Sequence, residues 1–236
     1  MAWQERVDLS AVLRWSARLG YHEGVCNHMS VMLDRTRFLI NPKGMHWEVA
    51  KASRLIVIND KGETVEGVGR PATTGYNIHT RVHLKHPNAK VVLHTHMPYA
   101  TALTAIRGGR LEMCHQNAGR FHDLVAYDDD FNGFAQGTDE GERMAEVMGD
   151  KRVLFLGSHG VLVIGDTLAD ALDDLYYLER TCEVQVLAMS TGKPLAIIPT
   201  QLLPGLRDFP QRKKNAELHL DAIKEILDEQ QPAYAT

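Results

Sequence analysis

The sequence predicts an α/β fold in which helices cover a sheet whose strands come partly in hairpin pairs. Apolar residues recur at helical spacing in several long segments, and short β-branched runs lie between them. Gly-containing turns join some of those runs directly. The chain has 236 residues, 44% hydrophobic and 24% charged, which suits one sizeable domain or a domain with a small appendage. No repeat, low-complexity tract or Pro/Ser-rich linker divides it. Residues 1–236 therefore read as a single domain, with 205–236 a C-terminal loop and helix extension.

Asp8–Leu19 places Val12, Trp15, Ser16 and Leu19 at helical spacing, an amphipathic opening helix. His28–Leu33, Arg37–Asn41 and Leu55–Asn59 read as short strands. The last runs into Asp60-Lys61-Gly62, a hairpin turn signal, before Glu63–Glu66. Gly67–Pro71 breaks the pattern. With Thr73 or Thr74 as N-cap, a helix runs to about Lys85 and is closed by Pro87. Val91–His96 reads as a buried strand, Pro98–Ile106 as a short helix and Asp139–Met148 as another. Val153–Leu156 and Val161–Ile164 are strands separated by Gly157-Ser158-His159-Gly160. Thr167 opens the longest helix, with Asp170 in a capping-box-like position and Leu168, Leu172, Leu175 and Leu178 as its apolar stripe, and Gly192 ends it. Arg212–Glu229 is a charged amphipathic helix with Ile223, Ile226 and Leu227 inward. A sheet between helices fits this order better than a parallel βαβ series.

Composition excludes several functions. A net charge of −4 gives no electrostatic case for nucleic acid or an anionic membrane. No run approaches the ~18 apolar residues of a membrane span. Met1–Val7 carries charge where a secretory leader needs an apolar stretch. Cys26, Cys114 and Cys182 are odd in number and far apart, which rules out a disulfide scaffold and fits a reducing cytoplasm. The unusual count is histidine, with 12 residues, so their placement carries the chemical argument.

His94 and His96 lie two apart on a strand and so share a face, a spacing that suits two imidazoles on one divalent ion. A pair of surface histidines on a half-exposed strand is the competing reading. Val91, Val92 and Leu93 carry the strand into the core, where adjacent imidazoles need partners. Spacing alone leaves the two readings level. His159 follows an apolar strand between Gly157 and Gly160, small residues that let backbone pack close to a ligand; a polar turn residue is the ordinary alternative. Three histidines with an open fourth position make a catalytic rather than a structural metal site. His79 and His83 also share a helix face, but Thr80 stands where a metalloprotease places its Glu, and Arg81 is an unwelcome cation there. Helix packing or exposure is the better account of that pair. Asn27 and Ser30 put an amide and a hydroxyl at the start of a strand. Thr73 and Thr74 stand at a helix N-terminus that attracts phosphate or carboxylate. Taken singly, turn chemistry for Asn27 and Ser30 and ordinary capping for Thr73 and Thr74 are the better readings. Asp128–Asp130 reads as a solvated turn.

Taken together, Asn27-x-x-Ser30, Leu39–Gly44, Pro71–His79, Val92–His96 and Leu156–Val161 resemble the class II aldolase/adducin family, in order and separation, from about residue 8 to 195. The resemblance implies a three-layer α/β/α sandwich around a mixed, mainly antiparallel sheet, commonly assembled as a homotetramer. It implies His94, His96 and His159 as ligands of a divalent metal, zinc first, with manganese, iron or cobalt as alternatives. It also places Asn27, Gly44, Thr73 and Thr74 at a substrate phosphate, with Ser30 and Lys43 in the same matched segments. The aldolases of the family carry a catalytic Glu where this chain has Gly75, and Met113–Phe121 is closer to the adducin-type branch. His28, Tyr76 and His115 are the replacement candidates for proton transfer, because each lies in or beside a matched segment. The function expected is a metal-dependent lyase acting on a small oxygenated acid or sugar derivative bearing a carboxylate or phosphate. It would proceed by retro-aldol cleavage or decarboxylation through a metal-stabilised enolate. The alternative is a non-catalytic, adducin-like interaction domain that retains the fold. Neither reading calls for nucleic acid or membrane, and both fit the cytoplasm.

Overall fold

The computed structural model describes residues 2–236 apart from 134 and 136. Its N-terminal half contains α1 (Trp3–Arg18), β1 (His28–Asp34), β2 (Arg37–Ile40), β3 (Ile56–Ile58), β4 (Thr64–Glu66), α2 (Thr73–Lys85), β5 (Val91–Thr95) and α3 (Pro98–Thr104). The remainder contains β6 (Val125–Asp128), α4 (Thr138–Met148), β7 (Val153–Leu156), β8 (Gly160–Gly165), α5 (Leu168–Met189), α6 (Leu203–Arg207) and α7 (Arg212–Gln230). The eight strands form one mixed sheet in the order β4-β3-β2-β1-β5-β8-β7-β6. All neighbours are antiparallel except β6 and β7, which run parallel.

Strand periodicity sorts the core into two sides. Val91 and Leu93 of β5 join a cluster with Leu9 and Leu13 of α1, Ala100 of α3, Leu172 and Leu175 of α5 and Ile223 of α7. Val92 faces the other way, with Leu154 and Ile164, against Ile78 and Val82 of α2 and Met144 and Met148 of α4. Helices thus cover both faces of the sheet. Phe38, Ile40, Ile56 and Ile58 form a third cluster under α2, capped by Tyr76 and Leu84.

Several elements differ from the sequence expectation for physical reasons. α1 begins at Trp3 rather than Asp8, because its first turn is anchored by Arg6, whose guanidinium donates to the Leu55 carbonyl at 2.6 Å and to Glu66 at 2.7 Å. α2 is capped by Ala72 and makes no side-chain cap hydrogen bond, so Thr73 and Thr74 are the first helical residues and not caps. Thr167 does cap α5, its hydroxyl accepting from the Asp170 amide. β6 and α6 carry no clear periodic signature, being short and partly exposed. Asp128 is not a solvated turn residue: it is buried at the end of β6 and takes a two-pronged ion pair from Arg143. α7 belongs to the layer formed by α1 and α5. It contributes Ala216, Leu220, Ile223 and Leu227 to the core and reaches Asp174 through Arg212. No described helix is long and apolar enough to cross a membrane.

Candidate metal centre and substrate cavity

β1 and β5 are antiparallel neighbours, with His28 directly opposite His94 and Ser30 opposite Val92. Directly opposed residues share a face, so both imidazoles and the Ser30 hydroxyl point toward α2. His96 follows the last residue of β5. β8 lies on the other side of β5, and the turn that feeds it from β7 carries His159. Ser158 supplies the tight bend with a φ of +55°. The flanking glycines are required by neighbouring backbone. A Cβ on Gly160 would fall 2.5 Å from the Thr95 carbonyl oxygen and 2.8 Å from His96 Cδ2, and one on Gly157 would fall 2.9 Å from the Asp129 carbonyl oxygen. The turn is thereby drawn against the ends of β5 and β6, which brings His159 beside the β5 pair.

The three rings form a nearly equilateral triangle. Their centroids are 5.0 Å apart for His94 and His96, 4.8 Å for His94 and His159, and 4.9 Å for His96 and His159. One nitrogen from each lies within 4.8 Å of the others. The outer hydrogen bonds leave inner nitrogens bare. His94 donates through Nδ1 to the Val161 carbonyl at 3.0 Å, and His96 Nδ1 meets Glu23 at 2.8 Å. His96 Nε2 is buried without a partner among the described residues. Burial, together with the neighbouring imidazoles, holds His94 well below the usual histidine range; burial and His96 lower His159 to about 4. Imidazoles with an unpartnered nitrogen, two of them backed by a carbonyl or a carboxylate, suit a divalent metal. His94, His96 and His159 are the residues that could hold one.

A cavity of about 700 Å³ opens in front of the triad. His28, Lys43 and Gly44 share its wall, as do Thr73 and Thr74 from the free N-terminus of α2. Ile78 and Met144 supply apolar wall. Four residues singled out from the sequence do not line it. Asn27 is buried behind, its Oδ1 accepting from the Glu23 amide and closing the turn that presents Glu23. Ser30 is fully buried between His79 and His83. Tyr76 turns away from the cavity to pack on Gly62 and the third apolar cluster. His115 precedes a 3-10 turn, Gln116–Phe121, that packs on α5 in the opposite helical layer. Glu23 and Phe131 were not foreseen, since an exposed acid and an exposed aromatic in loops have no local signature.

Residues 7–186 match the family model described as the Class II Aldolase and Adducin N-terminal domain. The chain belongs to that family. A Pseudomonas aeruginosa protein provisionally named as a class 2 aldolase is 33% identical over 98% of this chain and 92% of its own length. Decarboxylase NovR of Streptomyces niveus is 30% identical over 78% of this chain and 70% of its own. Human beta-adducin is 33% identical over 70% of this chain but only 23% of its own length. Among solved structures, an aldolase II superfamily protein from Pseudomonas syringae superposes with a TM-score of 0.90, at 28% identity over 99% of this chain and 96% of that one. The L-fuculose 1-phosphate aldolase from Glaciozyma antarctica superposes with a TM-score of 0.84, at 25% identity over 97% and 90%. The architecture is that of class II aldolases.

The glycine at position 75, where the family resemblance leads one to expect a Glu, sits against His28. A Cβ on Gly75 would sit 2.9 Å from His28 Cδ2 and 3.0 Å from Cγ. His28 cannot retreat easily, because its Nδ1 is 2.8 Å from His79 Nε2 and its ring stacks on His94 at 5.0 Å. His28 therefore fills the space that a side chain at position 75 would enter.

Proposed function

We propose that this chain is a divalent-metal-dependent carbon–carbon lyase acting on a small oxygenated acid or sugar derivative that bears a carboxylate or phosphate. The observation that carries the proposal is the convergence of three imidazoles, one nitrogen of each within 4.8 Å of the others, on a cavity that also presents His28, Lys43 and a helix N-terminus. His94, His96 and His159 would hold the ion, zinc being the first choice for an all-nitrogen set, with manganese, iron or cobalt as alternatives. When bound, such an ion supplies Lewis-acid polarisation of a substrate carbonyl.

The chain's own residues account for the rest. Lys43 and the unused N–H groups of α2, with the Thr73 and Thr74 hydroxyls free of capping duty, bind and orient the anionic end of the substrate. His28 moves the proton. In a retro-aldol cleavage it removes the hydroxyl proton as the carbon–carbon bond breaks, then returns it to the carbon left behind. In a decarboxylation the bond breaks without a base, and His28 Nε2 relays to the carbon left behind a proton drawn from water. The name of the decarboxylase relative supports the second route, and that of the fuculose-phosphate aldolase supports the first along with a phosphate-bearing substrate. A cytoplasmic homotetramer is part of the same proposal, supported by the family likeness.

A non-catalytic, adducin-like domain is favoured by one observation, the missing Glu. The packing of His28 against Gly75 gives that absence another explanation. Turnover of hydroxy-keto acids, sugar acids and their phosphates by untreated protein separates the two readings. The lyase reading expects at least one substrate to be cleaved. His28→Gln should slow that cleavage by about 10²–10⁴-fold while metal is retained. A metal-loaded protein inert toward the whole series would favour the interaction domain.

A further inference from the structure

Behind His28 runs a continuous chain of side-chain hydrogen bonds that neither metal binding nor substrate binding uses. His28 Nδ1 lies 2.8 Å from His79 Nε2. His79 Nδ1 lies 2.5 Å from Ser30 Oγ, which lies 2.7 Å from His83 Nε2. His83 Nδ1 ends the chain 2.5 Å from the Ala89 carbonyl oxygen. All four side chains are buried, between 0% and 4% exposed, and no carboxylate touches them among the described residues. Uncompensated charge in such a place is costly, so each ring is neutral and carries one N–H.

The proton positions then follow by counting. A carbonyl oxygen only accepts, so His83 must carry its proton on Nδ1, leaving Nε2 bare. Ser30 must donate its single hydroxyl proton to that bare nitrogen. The Ser30 oxygen is then left as the acceptor for His79, which must be protonated on Nδ1 and bare on Nε2. His28 must donate to that nitrogen from its own Nδ1. The other ring nitrogen, Nε2, is therefore bare. His28 lines the cavity, and Nε2 has no hydrogen-bond partner among the described residues.

We infer that Ser30, His79 and His83 are positioning residues that transmit one tautomer from the Ala89 carbonyl to His28, so that His28 presents an unprotonated Nε2 to the substrate cavity. This deepens the lyase reading, on which it rests for the identity of what fills the cavity. It also assigns a duty to the His79 and His83 pair beyond helix packing.

Two-bond ¹H–¹⁵N correlation spectra of ring-labelled protein, with single His→Gln variants for assignment, test the inference directly. His28, His79 and His83 should each show a protonated Nδ1 and a bare Nε2. Ser30→Ala should leave His83 unchanged but release His79 and His28 into the other tautomer or a mixture, and Ser30→Thr, which keeps the hydroxyl, should restore the wild-type pattern. An Nε2-protonated His28 in the wild type would overturn the inference, and so would a Ser30→Ala spectrum identical to wild type. The wild-type spectrum decides even if a variant fails to fold. No turnover enters the measurement, so the tautomer chain and the lyase reading can fail separately.

Discussion

At the scale of single residues, the catalytic question turns on Gly75 and His28. Strand spacing and glycine flanks bring His94, His96 and His159 to notice in the sequence, because two-residue alternation is a local rule. The contact between Gly75 and His28 has no such rule. It arises from a helix N-terminus laid across a strand start, and only the folded chain shows that the two positions compete for one space. The same contact gives a prediction. Gly75→Ala forces a methyl group onto a ring pinned by His79 and His94, and such overpacking costs about 1–3 kcal/mol. Denaturant unfolding should show that loss in the wild-type background. In a His28→Ala background the penalty of Gly75→Ala should shrink toward zero, a coupling that a double-mutant cycle measures. Equal penalties in the two backgrounds would mean that His28 does not fill the space.

At the scale of elements, the sheet delivers the site and the helices tune it. The β1–β5 register sets His28 opposite His94, and the β7–β8 hairpin swings His159 to the end of β5. α2 contributes free N–H groups at one end and His79 and His83 along the face that meets the sheet. Most of these elements were legible because their apolar spacing repeats over a full helix or strand. β6 was not: it is a four-residue edge strand, only partly buried over most of its length, without the alternation that marks a strand with one wet face. The turn before β1 was legible only as turn chemistry, yet it supplies Glu23 behind His96. A carboxylate in that position orients a metal-ligating imidazole and raises its basicity. Glu23→Ala should therefore weaken metal affinity by roughly 10–100-fold in a competition titration with a chelator. An unchanged affinity would reduce the Glu23 contact to a surface pairing.

For the whole molecule, buried histidines make global stability depend on pH. Burial depresses His83 to about 4, and burial with its imidazole neighbours holds His79 well below its ordinary value. Between the ordinary unfolded value of 6.5 and about 4, the unfolded chain binds protons at position 83 that the native chain does not. Stability contributed by a neutral His83 is thus full above pH 6.5 and is lost as pH falls toward 4, with a slope of up to roughly 1.4 kcal/mol per pH unit for each such group. Urea unfolding at stepped pH should show this decline, and His83→Gln should flatten it; identical slopes would place the acid sensitivity elsewhere. The sequence conveyed the helix-covered sheet, because binary patterning is written along the chain. It conveyed the inner face of α7 at Ile223 and Leu227 but not the ladder order or the helices that α7 packs against, since these depend on contacts between distant segments. Whether three imidazoles from two stretches of chain share one divalent ion is decided by elemental analysis of untreated protein alongside His94→Ala. About one equivalent of a divalent metal per wild-type chain is expected, with its loss from the folded variant. Metal-free wild-type protein, or a variant that keeps its full equivalent, would contradict a shared ion.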